Sequence, residues 1–181
     1  MVYVFLADGF ETVEALACVD FLRRADIETV TLGVGGKKSI TSSQKIKIEC
    51  DDIDANIRFL GDIDAIILPG GMPGTINLED SLAVRDSIEF AVKNNILIAA
   101  ICAAPSILGK MGLLVGKKAT CFPGFEKYLE GAEYTGNSVE KDGNIITGKG
   151  MGVAVDFGLE IVASLKSREL ADKIRASIQS K

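Results

Sequence analysis

Four thiols are present in this chain, at positions 18, 50, 102 and 121, and one of them stands where a nucleophile can be made. Ile96–Ile101 is an apolar run of buried-strand type, Cys102 follows it at once, and Ala103–Met111 reads as a helix with Pro105 near its start. A strand that passes into a helix with almost no linker turns sharply. Its middle residue is strained and lifted toward solvent, as in a nucleophile elbow. Unpaired amides at a helix N-terminus favour a thiolate, so the sequence predicts a Cys102 pKa below the roughly 8.5 of a free thiol. The plainer alternative is a small core thiol. Cys18, Cys50 and Cys121 read as structural, with Cys121 in a loop that could lie near the site.

Glu14 is the second chemical candidate. On a helical wheel it falls among Phe10, Ala17, Cys18, Phe21 and Ala25, the apolar arc, while Thr12, Asp20, Arg23 and Arg24 share the polar side. An ionised carboxylate on that arc is costly unless paired, so burial should raise its pKa, and a neighbouring thiolate would raise it further. Protonated, Glu14 could donate a hydrogen bond to Cys102 or pass a proton to a substrate. Charge compensation at the helix start is the alternative; it explains Glu11 better than Glu14. The third candidate is Gly70-Gly71, after the strand Asp64–Leu68. With the amide of Ala103, these glycines could form an oxyanion hole, or they could simply end a strand.

Composition narrows the chemistry further. The chain contains no histidine, which excludes Ser-His-Asp and Cys-His mechanisms and His-ligated metal within it. Proton transfer falls to carboxylates, Lys, Tyr, Cys or water. No CxxC pair suggests a zinc ribbon or a dithiol couple, and no metal or cofactor is expected. Neither GxGxxG nor GxxxxGK[ST] is present. The 25 acidic against 20 basic residues give a net charge of −5, which argues against nucleic acid and anionic membranes as partners. Free cysteines, no apolar run of membrane-spanning length and no signal-peptide pattern point to a cytoplasmic protein.

These residues must be positioned by a scaffold, and its pattern is α/β. Val2–Leu6, Glu28–Gly33, Asp64–Leu68 and Ile96–Ile101 read as strands, the apolar runs among them buried in a parallel sheet. Asp8 and Glu11 have capping-box spacing, which predicts a helix running to about Ala25. Lys38–Ile48 alternates as short half-solvated strands, and Asp80–Lys93 is an amphipathic helix. Asp142-Gly143 marks a hairpin within Val139–Ile146, and Gly152–Leu165 and Ser167–Ile178 are terminal helices. Alternating strands and helices imply a parallel sheet covered on both faces, with ligands at the carboxyl ends of its strands. At 181 residues, a single domain spanning 1–181 is expected.

Four segments together resemble the ThiJ/PfpI superfamily, in the branch of the parkinsonism-associated protein DJ-one and its bacterial relatives. They are LADGFETVEA (Leu6–Ala15), ILPGGMPG (Ile67–Gly74), AAICAAP (Ala99–Pro105) and VEKDGNIITGKG (Val139–Gly150). The resemblance covers essentially the full length. It implies a flavodoxin-like three-layer α/β/α sandwich, a homodimer, a reactive Cys102 partnered by Glu14, and oxyanion-type amides at Gly70, Gly71 and Ala103. It further implies oxidation of the cysteine to a sulfinate, and glyoxalase or deglycase chemistry, redox-linked protection or chaperone-like holding. The chain departs from the pattern at Phe122, where relatives often carry a histidine, at Ala104, often Gly, and at Met72, sometimes polar. Loss of a Cys-His pair makes peptidase activity a poor fit. The favoured expectation is a cofactor-free stress-response enzyme acting on small aldehydes or dicarbonyls. The alternatives are a redox sensor and a chaperone.

Overall fold

The computed structural model describes residues 1–57 and 62–180. The chain begins with β1 (Val2–Leu6), α1 (Thr12–Arg24) and β2 (Thr29–Gly33). A small antiparallel hairpin of β3 (Ser39–Thr41) and β4 (Lys47–Glu49) leads to β5 (Asp52–Ile53). Next come β6 (Ala65–Leu68), α2 (Gly74–Glu79), α3 (Leu82–Lys93), β7 (Leu97–Ile101) and α4 (Pro105–Lys110). The two-residue strands β8 (Lys118–Ala119) and β9 (Glu133–Tyr134) pair with each other. β10 (Val139–Asp142) and β11 (Ile145–Gly148) form the hairpin read at Asp142-Gly143, and α5 (Ala154–Leu165) and α6 (Arg168–Ser177) follow.

Seven strands form one sheet in the order β10-β11-β7-β6-β1-β2-β5, parallel except for β10 at one edge. Side chains alternate between its faces, as the pleat requires. Val2, Val4, Leu6, Ile67 and Ile101 pack under α1, α5 and α6. Tyr3, Phe5, Ile66, Leu68 and Ile98 pack under α3 and α4 on the other. The architecture is the flavodoxin-like α/β/α sandwich. From β1 the chain proceeds to β2 on one side, while β6 pairs on the other. The carboxyl ends of β1 and β6 therefore flank a topological switch point, the usual ligand crevice of such sheets. Among the described residues no helix is long and apolar enough to cross a membrane.

Local chemistry corrects two expectations. Asp8 does not cap α1. Residues 7–10 form a tight turn, with Gly9 at φ 89° and the Phe10 amide on the Ala7 carbonyl, so the helix starts later. Glu11 is the cap, its carboxylate accepting the Glu14 N–H at 2.8 Å. Asp8 instead accepts the Thr41 amide and pairs with Lys37, tying the β3–β4 hairpin to the end of β1. A further helix, α2, occupies Gly74–Glu79 after the glycine turn, and α3 starts afresh at a Ser81 cap rather than at Asp80. Leu82, at the start of α3, is 72% exposed. After β2, Gly35 and Gly36 lie at positive φ, and both their amides donate to the Asp54 carboxylate at 2.8 Å.

Phe157 of α5 fills the space beside Gly148, where an added β-carbon would lie 2.9 Å from the ring. Since it is fully buried, Phe157→Ala should lower unfolding free energy by about 3–5 kcal/mol, read from urea denaturation. A loss below about 1 kcal/mol would show that this layer is not tightly packed.

Candidate functional site

Three strand ends build the site. β7 delivers Cys102, whose φ of 65° is in the left-handed region. A non-glycine residue there is unusual, and the turn is over-determined by backbone bonds on both sides. The Cys102 N–H donates to the Gly148 carbonyl at 2.9 Å, and its carbonyl accepts the Phe122 N–H at 2.8 Å. The side chain is half-buried, whereas Cys18, Cys50 and Cys121 are buried. β6 delivers the Pro69-Gly70-Gly71 turn, with Gly71 at φ 92°. α1, following β1, delivers Glu14.

The helical-wheel placement of Glu14 is borne out: the residue is 0% exposed. Its Oε2 accepts the Gly70 N–H at 2.9 Å, and its Oε1 is buried without a hydrogen-bond partner. The carboxyl lies against the Cys102 thiol. Gly70 has to be glycine here, because a β-carbon would sit 2.6 Å from Cys102 Cβ and 2.8 Å from Glu14 Oε2. The structure thus brings Cys102, Glu14, Gly70, Gly71 and Ala103 together, but divides the amides differently from the sequence expectation. The Gly70 amide is committed to Glu14, so it is not an oxyanion donor. The amides facing the sulfur are those of Ala103 and Gly71.

Burial raises the Glu14 pKa to about 7, against the opposing pull of the Cys102 and Gly70 hydrogen bonds. The expectation of a depressed Cys102 pKa is overturned. Burial first, then the charge and hydrogen bonding of the Glu14 carboxylate, push the thiol up to about 12, and the Ala103 and Gly71 amides only partly oppose this. The helix that was to favour a thiolate begins only at Pro105 and has six residues, so little dipole reaches the sulfur. Cys102 is therefore distinguished by access and by its acid partner rather than by a resting charge. Thiol and carboxyl titrate as a pair: losing the first proton, near pH 7, leaves one proton shared between them.

Some supporting residues carried no signal of their own type. Gly148 anchors the elbow through its carbonyl, and a β-carbon on it would meet Ile101 and Phe157 at 2.9 Å. Phe122 contributes its amide to the elbow while its ring is 47% exposed. Among the described residues no cluster of three His, Cys, Asp or Glu side chains could hold a metal ion.

Comparison with known proteins bears on this arrangement. The model of the DJ-1/PfpI family matches residues 1–164. The chain belongs to the DJ-1/PfpI family. It is 36% identical over 178 residues to the Parkinson disease protein 7 homolog of Danio rerio, covering 97% of this chain and 94% of that protein. The crystal structure of DJ-1beta from Drosophila melanogaster superposes with a TM-score of 0.94 at 33% identity, covering 99% of this chain and 97% of that one. Oxidized DJ-1 from Toxoplasma gondii gives 0.94 at 32% identity, with the same coverage. A cysteine-to-alanine mutant of a DJ-1 superfamily protein from Salmonella typhimurium gives 0.90 at 33% identity, covering 99% and 98%. In this DJ-1/PfpI chain the elbow, the buried acid and the glycine turn occupy one crevice at the switch point.

Two outcomes check the site. The rate of Cys102 alkylation by iodoacetamide should rise with pH and bend near pH 7, where Glu14 ionises and the pair drops to one proton. In Glu14→Gln that bend should vanish, leaving only an alkaline rise; an unchanged bend would assign it elsewhere. Gly70→Ala should destabilise the fold by about 1–3 kcal/mol and slow Cys102 alkylation, since the new methyl meets both partners.

Proposed function

We propose that this chain is a cofactor-free cysteine enzyme that converts small α-oxoaldehydes to 2-hydroxy acids. The observation that carries the reading is a fully buried Glu14 carboxyl, poised near neutral pH, against a half-buried thiol on a strained elbow. The pair supplies a nucleophile and a proton carrier without histidine or metal.

In this mechanism the Glu14 carboxylate takes the Cys102 proton as Sγ attacks the aldehyde carbon of methylglyoxal. A C–S bond forms, and the aldehyde oxygen becomes an alkoxide held by the Gly71 and Ala103 amides. That oxygen takes the proton from Glu14, giving a hemithioacetal. Glu14, again ionised, removes the C1 hydrogen as a proton, and the resulting enediol is reprotonated at C2. The product of these steps is a lactoyl thioester on Cys102. Water cleaves it, releasing lactate and restoring the thiol. The net change is addition of one water, with no external oxidant or reductant. The Glu14 pKa near 7 suits both halves of the shuttle, because neither protonation state is far from equilibrium at neutral pH.

A second reading has its own observation. The DJ-1 relative from Toxoplasma gondii was solved in an oxidized state, and here Glu14, when protonated, could donate from Oε1 to one oxygen of an oxidised Cys102. Peroxide would then act on the same thiol, once Glu14 has drawn its proton.

Methylglyoxal consumption with lactate quantified should show turnover in wild type, none in Cys102→Ser and a loss of about 100-fold or more in Glu14→Gln. Turnover retained in Cys102→Ser would end the enzyme reading. Peroxide titration followed by peptide mass mapping should place the first added oxygens on Cys102; uniform oxidation of all four thiols would end the sensor reading.

A further inference from the structure

Beside the elbow lies a concavity that the chemistry above does not use. It encloses about 330 Å³ between α2, α4 and the 124–128 segment; Met72, Ile76, Phe125 and Tyr128 form its apolar part, and Glu79, Lys110 and Lys127 bring charge to its lining. Segments that build the elbow also border this groove. Met72 follows Gly71, whose amide faces the Cys102 sulfur, and Ser106 stands four residues beyond Cys102. Gly124 follows by two residues the Phe122 amide bound to the Cys102 carbonyl. The groove and the elbow are therefore built on the same three segments of chain.

The far side is held in place before any ligand arrives. Glu79 binds Lys110 Nζ through both oxygens, at 2.7 and 2.8 Å, and that ammonium lies 4.9 Å from the centre of the Tyr128 ring. The Tyr128 carbonyl sits so close to α4 that a β-carbon on Gly109 would come within 2.0 Å of it. Meanwhile Met72 and Ile76 are 48% and 45% exposed, so the groove keeps apolar surface in contact with water. A wet trough with an apolar part, bordered by the segments that build the elbow, suits the substituent carried by the reacting carbon, since burying that substituent holds the carbon in place.

We propose that this groove is the side-chain subsite of Cys102, taking the apolar or aromatic substituent of a carbonyl compound whose reactive carbon meets Sγ. The proposal rests on the reading of Cys102 as a carbonyl nucleophile and adds the substrate class to it. A methyl substituent offers the wall little surface. A phenyl or isobutyl substituent fills it, so larger α-oxoaldehydes are the preferred substrates.

The test uses probes that need no turnover. Second-order rates of Cys102 alkylation by N-benzyl iodoacetamide and by iodoacetamide are measured by mass spectrometry, with glutathione as the reference thiol. The benzyl-to-parent ratio in the wild type should exceed that of glutathione by about tenfold. Ile76→Glu and Tyr128→Ala should bring it down to the glutathione value, while Leu82→Asn, on an exposed part of α3, keeps the wild-type ratio. A wild-type ratio equal to that of glutathione, or one unchanged in Ile76→Glu, overturns the subsite. Selective alkylation in a protein inert to methylglyoxal would retain the groove and remove that substrate; lactate formation without selectivity would do the reverse. A Cys102 that is not alkylated at all would remove both.

Discussion

Everything at this site follows from placing one carboxyl group where water cannot reach it. Glu14 is held in the core by the Gly70 amide on one oxygen and by the Cys102 thiol beside the carboxyl. Its pKa rises from 4.5 to about 7, so the ionised form carries a penalty of about 3 kcal/mol at pH above both values. The sign is that of a raised acid: the stability present below pH 4.5 is lost as the pH climbs through 7. Marginally stable proteins keep such a group only where the rest of the fold outweighs its cost. Here that support is a sheet buried on both faces and a helix capped by Glu11, three residues before the buried acid.

The same carboxyl explains why the neighbouring thiol is not a thiolate at rest. Two amides and a short helix favour a charge on sulfur, but burial and an adjacent carboxylate disfavour it more strongly. In the proposed mechanism the reactive species is therefore made by transfer within the pair, when substrate arrives, rather than stored. A protein with no histidine can still manage protons near neutrality, because desolvation shifts a glutamic acid into the range that imidazole usually occupies.

The sequence made much of this legible, and the limits are physical. Strands buried on both faces announce themselves as apolar runs, so β1, β6 and β7 were readable. Glu14 was readable because periodicity 3.6 converts position into direction, and a charge on an apolar arc stands out. Cys102 was readable from its place directly after a buried apolar strand, although the helix beyond it starts two residues later than the sequence suggests. The direction of its pKa was not, because that depends on how much burial and carboxylate charge weigh against two amides, which is a matter of tertiary distance. Gly70 and Gly71 are chemically identical in sequence; only their different φ and partners separate the one that binds Glu14 from the one that faces sulfur. Asp8 had the spacing of a cap, yet the turn at Gly9 delayed the helix and left it to hold the β3–β4 hairpin.

The loop after β2 has its own consequence for what this sheet can carry. Consecutive glycine amides at the carboxyl end of a parallel strand make a receptacle for phosphate or another free anion. Here Asp54, eighteen residues beyond Gly36, already fills it from within the chain. Any dissolved anion would compete with a tethered carboxylate whose effective concentration is on the order of millimolar. The two amides that follow β2 are thus satisfied from within the chain and are not left for a dissolved ligand.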